Sequence, residues 1–137
     1  MDQFNRMLAR WEPMVLSIFR IMIGLLLFQY GVAKILKFPA LPYFANIPPL
    51  ITTAGALELI LGALLILGLF TRLAAFVLSG EMAFAYFMGH MFKAATPVFI
   101  PLLNGGSAAV LFCFACLYLA CAGGGPWSVD AMMRKRA

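Results

Sequence analysis

Charge is what this sequence of 137 residues has least of: 11% of the chain is Asp, Glu, Lys or Arg, against about 25% in an average soluble domain. Histidine occurs once and cysteine three times, too few and too scattered for a coordination set with zinc-site spacing. No glycine-rich phosphate loop, nucleophile elbow or carboxylate–histidine triad is present, which argues against nucleotide-driven and hydrolytic chemistry. Acidic residues are scarcest: five Asp and Glu face ten Lys and Arg, a formal charge of +5. A nucleic-acid partner would require those cations clustered on a water-facing surface. They sit instead at the ends of apolar runs, where membrane proteins keep their topological charges, so nucleic acid is not the partner this pattern implies.

Apolar residues fill the space that charge leaves. They make up 64% of the chain, with a mean hydropathy of +0.98 in 15.0 kDa. A sphere of that mass has too little interior to hide so much apolar surface from water, so the lipid bilayer is the expected solvent. The chain reads as one domain over 1–137, an all-α antiparallel bundle with four spans. About 20 mostly apolar residues cross the hydrocarbon, and the candidate runs are 14–36, 50–70, 73–92 and 105–123. Pro13 precedes the first run and Pro48-Pro49 the second, where a missing N–H is tolerated. Asn104 can cap the fourth, and Gly123-Gly124-Gly125-Pro126 stops it. Thr71 and Arg72 alone separate the second and third runs, which implies a tight hairpin. The first run carries Arg20 and lacks a following small-residue cleavage site, so it is not expected to be a signal peptide. Arg6, Arg10, Arg72, Arg134, Lys135 and Arg136 lie on one side of these spans, and Lys34, Lys37 and Lys93 on the other. That imbalance predicts a plasma-membrane protein with both termini in the cytoplasm.

An ionisable side chain inside a span costs at least about 2.5 kcal/mol on insertion scales, so it faces protein and seeks a partner. At 100° per residue, Arg20, Gly24, Leu27, Gly31 and Lys34 share one stripe of the first span. Gly55, Glu58 and Gly62 share a face of the second. On the third, Glu81 and His90 fall on nearly opposite faces. Gly24, Gly31, Gly55 and Gly62 are expected to bring helices close together. The rise of a helix places Arg20 roughly 8 Å, Glu81 roughly 12 Å and Glu58 roughly 18 Å from the cytoplasmic boundary. These depths suggest an inner cluster of Arg20, Glu58 and Glu81, and an outer one of Lys34, His90 and Asn104. Both clusters are candidate ligand or proton sites; the inner one is also readable as ion pairs that only fix helix register, His90 as an interfacial residue at a span end, and Lys34 as a lysine snorkelling to the surface. Cys113-x-x-Cys116 has redox spacing, but mid-membrane these residues and Cys121 read as small apolar contacts.

Gly24, Gly31-Val-Ala-Lys34, Gly55-Ala-Leu-Glu58, Gly62, Gly68-Leu-Phe-Thr71-Arg72, His90, Asn104-Gly105-Gly106 and Gly123-Gly-Gly-Pro126-Trp127-Ser128-Val-Asp130, following an early Arg20, resemble the DoxX family of small membrane proteins. The match covers about residues 15 to 131. It departs at Ser107, where many relatives carry Glu. The resemblance implies a four-helix integral membrane protein. Some relatives are subunits of quinone-linked oxidoreductase assemblies, and others act as membrane chaperones or cargo receptors.

Three functions are open at this level. In the first, the chain is a quinone-coupled redox subunit without an intrinsic cofactor. Arg20, Glu58, Glu81 and His90 would line a pocket, Tyr30 or Tyr86 would pack on the ring, and a partner subunit would supply electrons. In the second it is a non-catalytic scaffold, chaperone or assembly factor. In the third it is a small transporter, which would need a homo-oligomer.

Overall fold

Without water to bond its polar groups, a backbone crosses lipid only as a helix or a closed barrel. This chain takes the helical solution. A computed structural model describes residues 1–137, with no strand. Helix α1 covers Asp2–Gly31 and runs on into a wide π turn, Val32–Leu36; a 3₁₀ turn follows at Pro42–Phe44. Then come α2 (Pro49–Leu67) and α3 (Thr71–Tyr86), the latter continued by a second π turn, Phe87–Met91. The short α4 (Pro101–Asn104), α5 (Ser107–Ala122) and α6 (Val129–Arg136) complete the chain. Three segments, Asp2–Leu36, Pro49–Leu67 and Thr71–Met91, are long and apolar enough to cross a membrane. At 16 residues, α5 is shorter, about 24 Å at the helical rise.

Helix α1 begins well before the expected boundary at residue 14, with Pro13 inside it. Asp2 complements the dipole in the first turn, and Met7, Leu8, Ala9 and Arg10 favour helix. Those preferences outweigh the one backbone bond that Pro13 removes. Phe4, Met7, Leu8 and Trp11 are all exposed, on the same face as the exposed Val15, Ile18 and Met22 further along α1. Only 26 of the 137 residues are buried, so most large apolar side chains point outward, as a lipid solvent requires.

The helices associate as two tight pairs, α1 with α2 and α3 with α5. Glycine sets the first pairing. A Cβ on Gly31 would lie 2.7 Å from Leu59 Cα, and one on Gly62 3.0 Å from the Phe28 nitrogen. Gly24 faces Leu65 and Ile66, and Gly55 faces Lys34. Replacing Gly31 by alanine should therefore push α1 off α2 and cost about 1–3 kcal/mol, as overpacking does; a melting curve in detergent would reveal it. Phe19 with Tyr118 and Tyr30 with Phe112 make edge contacts between α1 and α5, at 6.2 and 6.3 Å between ring centroids. The apolar core, Leu27, Leu65, Ala74, Ala75, Leu78, Met82, Cys116 and Leu119, fills the half of the bundle next to the α2–α3 turn.

That end is fastened by three charged side chains at helix termini, where backbone groups lack intrahelical partners. Arg20, 1% exposed, donates from Nε to the Leu65 carbonyl (2.8 Å) and from its terminal nitrogens to the carbonyls of Trp127 (2.7 Å), Ile66 (3.5 Å) and Gly124. It thereby ties the last turn of α2 to the glycine-rich segment after α5. Arg72 donates to the carbonyls of Ala120 and Cys121 at the end of α5. Asp130 accepts from the Phe70 and Thr71 amides, each at 2.9 Å, capping the start of α3 from 59 residues away. Close approach explains the glycines here: a Cβ on Gly68, whose φ is +72°, would meet Ser128, and one on Gly125 would meet Ser17.

Partial burial pushes the Asp130 carboxyl up, but the amides of Thr71 and Phe70, with Arg134 nearby, more than offset it and hold the carboxyl below its ordinary value. A depressed carboxyl stabilises the fold above the unfolded value of about 3.9 and loses that contribution as pH falls through the folded value. Asp130→Ala is expected to cost about 1 kcal/mol, the scale of a helix cap. The difference from the parent protein should shrink below about pH 4, which melting curves at stepped pH would measure.

Candidate functional site

The opposite half of the bundle is hollow. A cleft of about 870 Å³ lies between the two helix pairs. Its lining comes from the ends of α1 and α3, the segment leading into α2, the first half of α2, and the start of α5. Leu57, Val77, Phe84, Met88 and Phe112 make its walls largely apolar, and Met82 belongs both to the lining and to the core.

Lys34, Glu58 and Glu81 bring ionisable groups to this cleft. Lys34 Nζ lies 2.9 Å from both oxygens of Glu58, which is 2% exposed. Tyr30 and Phe44 flank the ammonium, each ring centroid 5.8 Å from it. Glu81 is Glu58's neighbour across the α2–α3 interface. Both Glu81 oxygens are buried and have no hydrogen-bond partner. One cation thus serves two carboxyl groups, and an ionised carboxylate has no hydrogen to offer the other. Glu81 is left with bonding capacity that a proton or a ligand hydroxyl would satisfy.

This grouping corrects the sequence reading. Arg20 does not join Glu58 and Glu81; it is at the far end, bonded to carbonyls. Helix register is the reason. Gly24 packs on Leu65–Ile66 and Gly55 on Lys34, so Arg20, one turn earlier on the antiparallel α1, lies against the end of α2 near Gly68, about 15 Å along α2 from Glu58. Lys34 takes the place expected for Arg20, and does not snorkel.

His90 also lines the cleft, although regular spacing puts it about 180° from Glu81. The π turn at Phe87–Met91 accommodates an extra residue, marked by the bond from the Phe92 amide to the Phe87 carbonyl at 2.9 Å, and so brings His90 round. Lys34 sits in the other π turn. His90 Nδ1 donates to the Asn104 carbonyl at 3.2 Å; in the neutral ring that leaves Nε2 as an acceptor. Asn104 is one bond removed from the cleft. Its amide donates to the Val98 carbonyl (2.8 Å) and to the Tyr86 hydroxyl (3.3 Å), and its Oδ1 accepts from the Gly106 amide just before α5 (2.8 Å). Tyr86 donates to the Phe99 carbonyl and is absent from the lining, whereas Tyr30 and Lys93 contribute to it. From the sequence, Lys93 is no more than a topological charge. Cys116 is buried in the core, Cys113 is partly buried and Cys121 exposed, all as free thiols.

The DoxX family model matches residues 15–91, which takes in Arg20, Lys34, Glu58, Glu81 and His90. An uncharacterised protein of Haemophilus influenzae is 38% identical over 132 residues, covering 94% of this chain and 98% of its own length. No solved structure matches the chain.

Proposed function

The chain belongs to the DoxX family, and from that premise we propose that it is an integral membrane subunit of a quinone-coupled redox complex, with the quinone held in the cleft between the helix pairs. The observation that carries this reading is a largely apolar cleft of about 870 Å³ with the unpartnered Glu81 carboxyl in it beside the Lys34–Glu58 pair. Pockets for small lipophilic ligands span about 300–1,000 Å³, mostly apolar with a few placed polar groups, so the residues present fit a quinone-type head. Lys34 has one N–H beyond the two bonds to Glu58 and can donate to a ring carbonyl. Glu81 and the free His90 nitrogen can accept from a ring hydroxyl, and Tyr30 presents an aromatic edge. Bound there, a quinone would supply two-electron chemistry; the protein positions the ring and exchanges protons with it, and a partner subunit delivers the electrons.

In this proposal α5 is the fourth span, its 16 residues extended by the turn on either side. The side rich in arginine and lysine, which holds both termini, faces the cytoplasm of a plasma-membrane protein. A second reading, a scaffold whose buried charges only specify the bundle, draws support from Arg20, which is wholly committed to backbone carbonyls.

Glu81→Gln separates the two. In the quinone reading it keeps the fold but weakens binding of a short-chain benzoquinol by about tenfold or more, the scale of one hydrogen bond to a charged group. Calorimetric titration of purified protein in nanodiscs would read it. Equal affinity of the two proteins, or none in either, favours the scaffold.

A further inference from the structure

We propose that the cleft is one-ended toward water: protons and water-soluble solutes reach Lys34, Glu58 and Glu81 only from the membrane face that carries Lys93, and never from the face that holds the termini, while the exposed flank at Val77, Phe84 and Met88 faces lipid. This deepens the reading of the cleft as a ligand site and rests on it. All 24 lining residues fall within 30–58, 77–93 and 105–112, so the cavity occupies one half of the bundle. The other half is filled by the apolar core from Leu27 to Leu119. Beyond the core, Arg20 joins α2 to the segment after α5, and Ser17, Thr71 and Ser128 are each no more than 3% exposed there. The two helix pairs are thus bolted together at one end and enclose the cleft at the other. Met82, shared by cleft and core, is the floor. His90 and Lys93 lie at the open end, among the lining, where a polar mouth lets water enter an otherwise apolar passage.

The consequence is a sidedness. A proton leaving a ligand at Glu81 emerges on the Lys93 face, and no conformational exchange of faces takes place while the Arg20 contacts hold. Cysteine accessibility tests it in the full chain, reconstituted in vesicles, with Cys113, Cys116 and Cys121 replaced by alanine. Ala54→Cys and Ala85→Cys place small probes in the cleft, while Lys93→Cys and Lys135→Cys report the two faces. A charged, membrane-impermeant thiosulfonate is expected to modify the two cleft positions at least tenfold faster from the face that modifies Lys93→Cys. Equal rates from both faces, faster reaction from the Lys135→Cys face, or no reaction from either would overturn the proposal. If the alanine background fails to fold, the two cleft cysteines are placed in the parent protein and read against its own labelling. Protection by a short-chain benzoquinol is a separate readout: one-sided labelling without protection keeps the sidedness and removes the quinone.

Discussion

Replacing Arg20 by methionine is expected to remove about 3–5 kcal/mol of stability, the scale of leaving a buried charged network without one partner. Three observations set that size. Arg20 is 1% exposed, its donors reach carbonyls on two separate segments, and each buried acceptor left unmatched costs about 1–3 kcal/mol. Against a total of about 5–15 kcal/mol for a folded domain, the loss should lower the yield of monodisperse protein as well as the melting midpoint. Arg20→Lys should fall between, because an ammonium lacks the planar fork that engages several carbonyls at once. Hydrogen exchange locates the effect: amides 68–71 and 124–131 should exchange faster, and those lining the cleft much less so. Unchanged melting and exchange would show that Arg20 does not fasten the two ends of the chain.

Lys34→Met should be about as damaging, for the opposite reason. It leaves Glu58 and Glu81 as neighbouring carboxyls with no cation, again an expected loss of about 3–5 kcal/mol. Glu58→Met leaves Lys34, which is 13% exposed, with Glu81 as its remaining carboxyl neighbour, and should cost somewhat less. The double replacement should recover part of the stability, because a well-packed apolar pair of similar volume replaces a buried ion pair with little net loss, while Glu81 stays buried without a cation. It should not recover benzoquinol binding, since the orienting charges are gone. A double-mutant cycle on melting and binding together separates the structural from the ligand role of the pair. Full recovery of both would assign the pair to structure alone, and additive damage would mean that the two side chains are uncoupled.

Much of this was legible in the sequence, for identifiable reasons. Apolar runs of span length, prolines at their starts and the short interval around Thr71 and Arg72 announce helices and a hairpin, because lipid leaves the backbone no other means of bonding. The polar side chains of 34, 58, 81 and 90 stand out because a membrane makes them expensive. What regular periodicity misses is the partner of each. Arg20 and Glu58 look joinable from depth alone, yet Gly24 and Gly55 set a register that places Arg20 against the end of α2 and Lys34 against Glu58. His90 belongs on the far face of α3 by 100° steps, and a π turn, which no residue pattern marked, brings it to the cleft. The cap from Asp130 to the start of α3 spans 59 residues, beyond the reach of any local signal. The terminal Gly-Gly-Gly-Pro-Trp-Ser-Val-Asp run was visible as a motif, and its physical role emerges only with Arg20 folded against it.

The most direct test of the cleft as a quinone site is native mass spectrometry of the protein released gently from its own membrane, run beside Glu81→Gln. A bound mass matching a quinone on the parent protein, much reduced on the variant, is the expected result. A parent protein carrying phospholipid alone would contradict it.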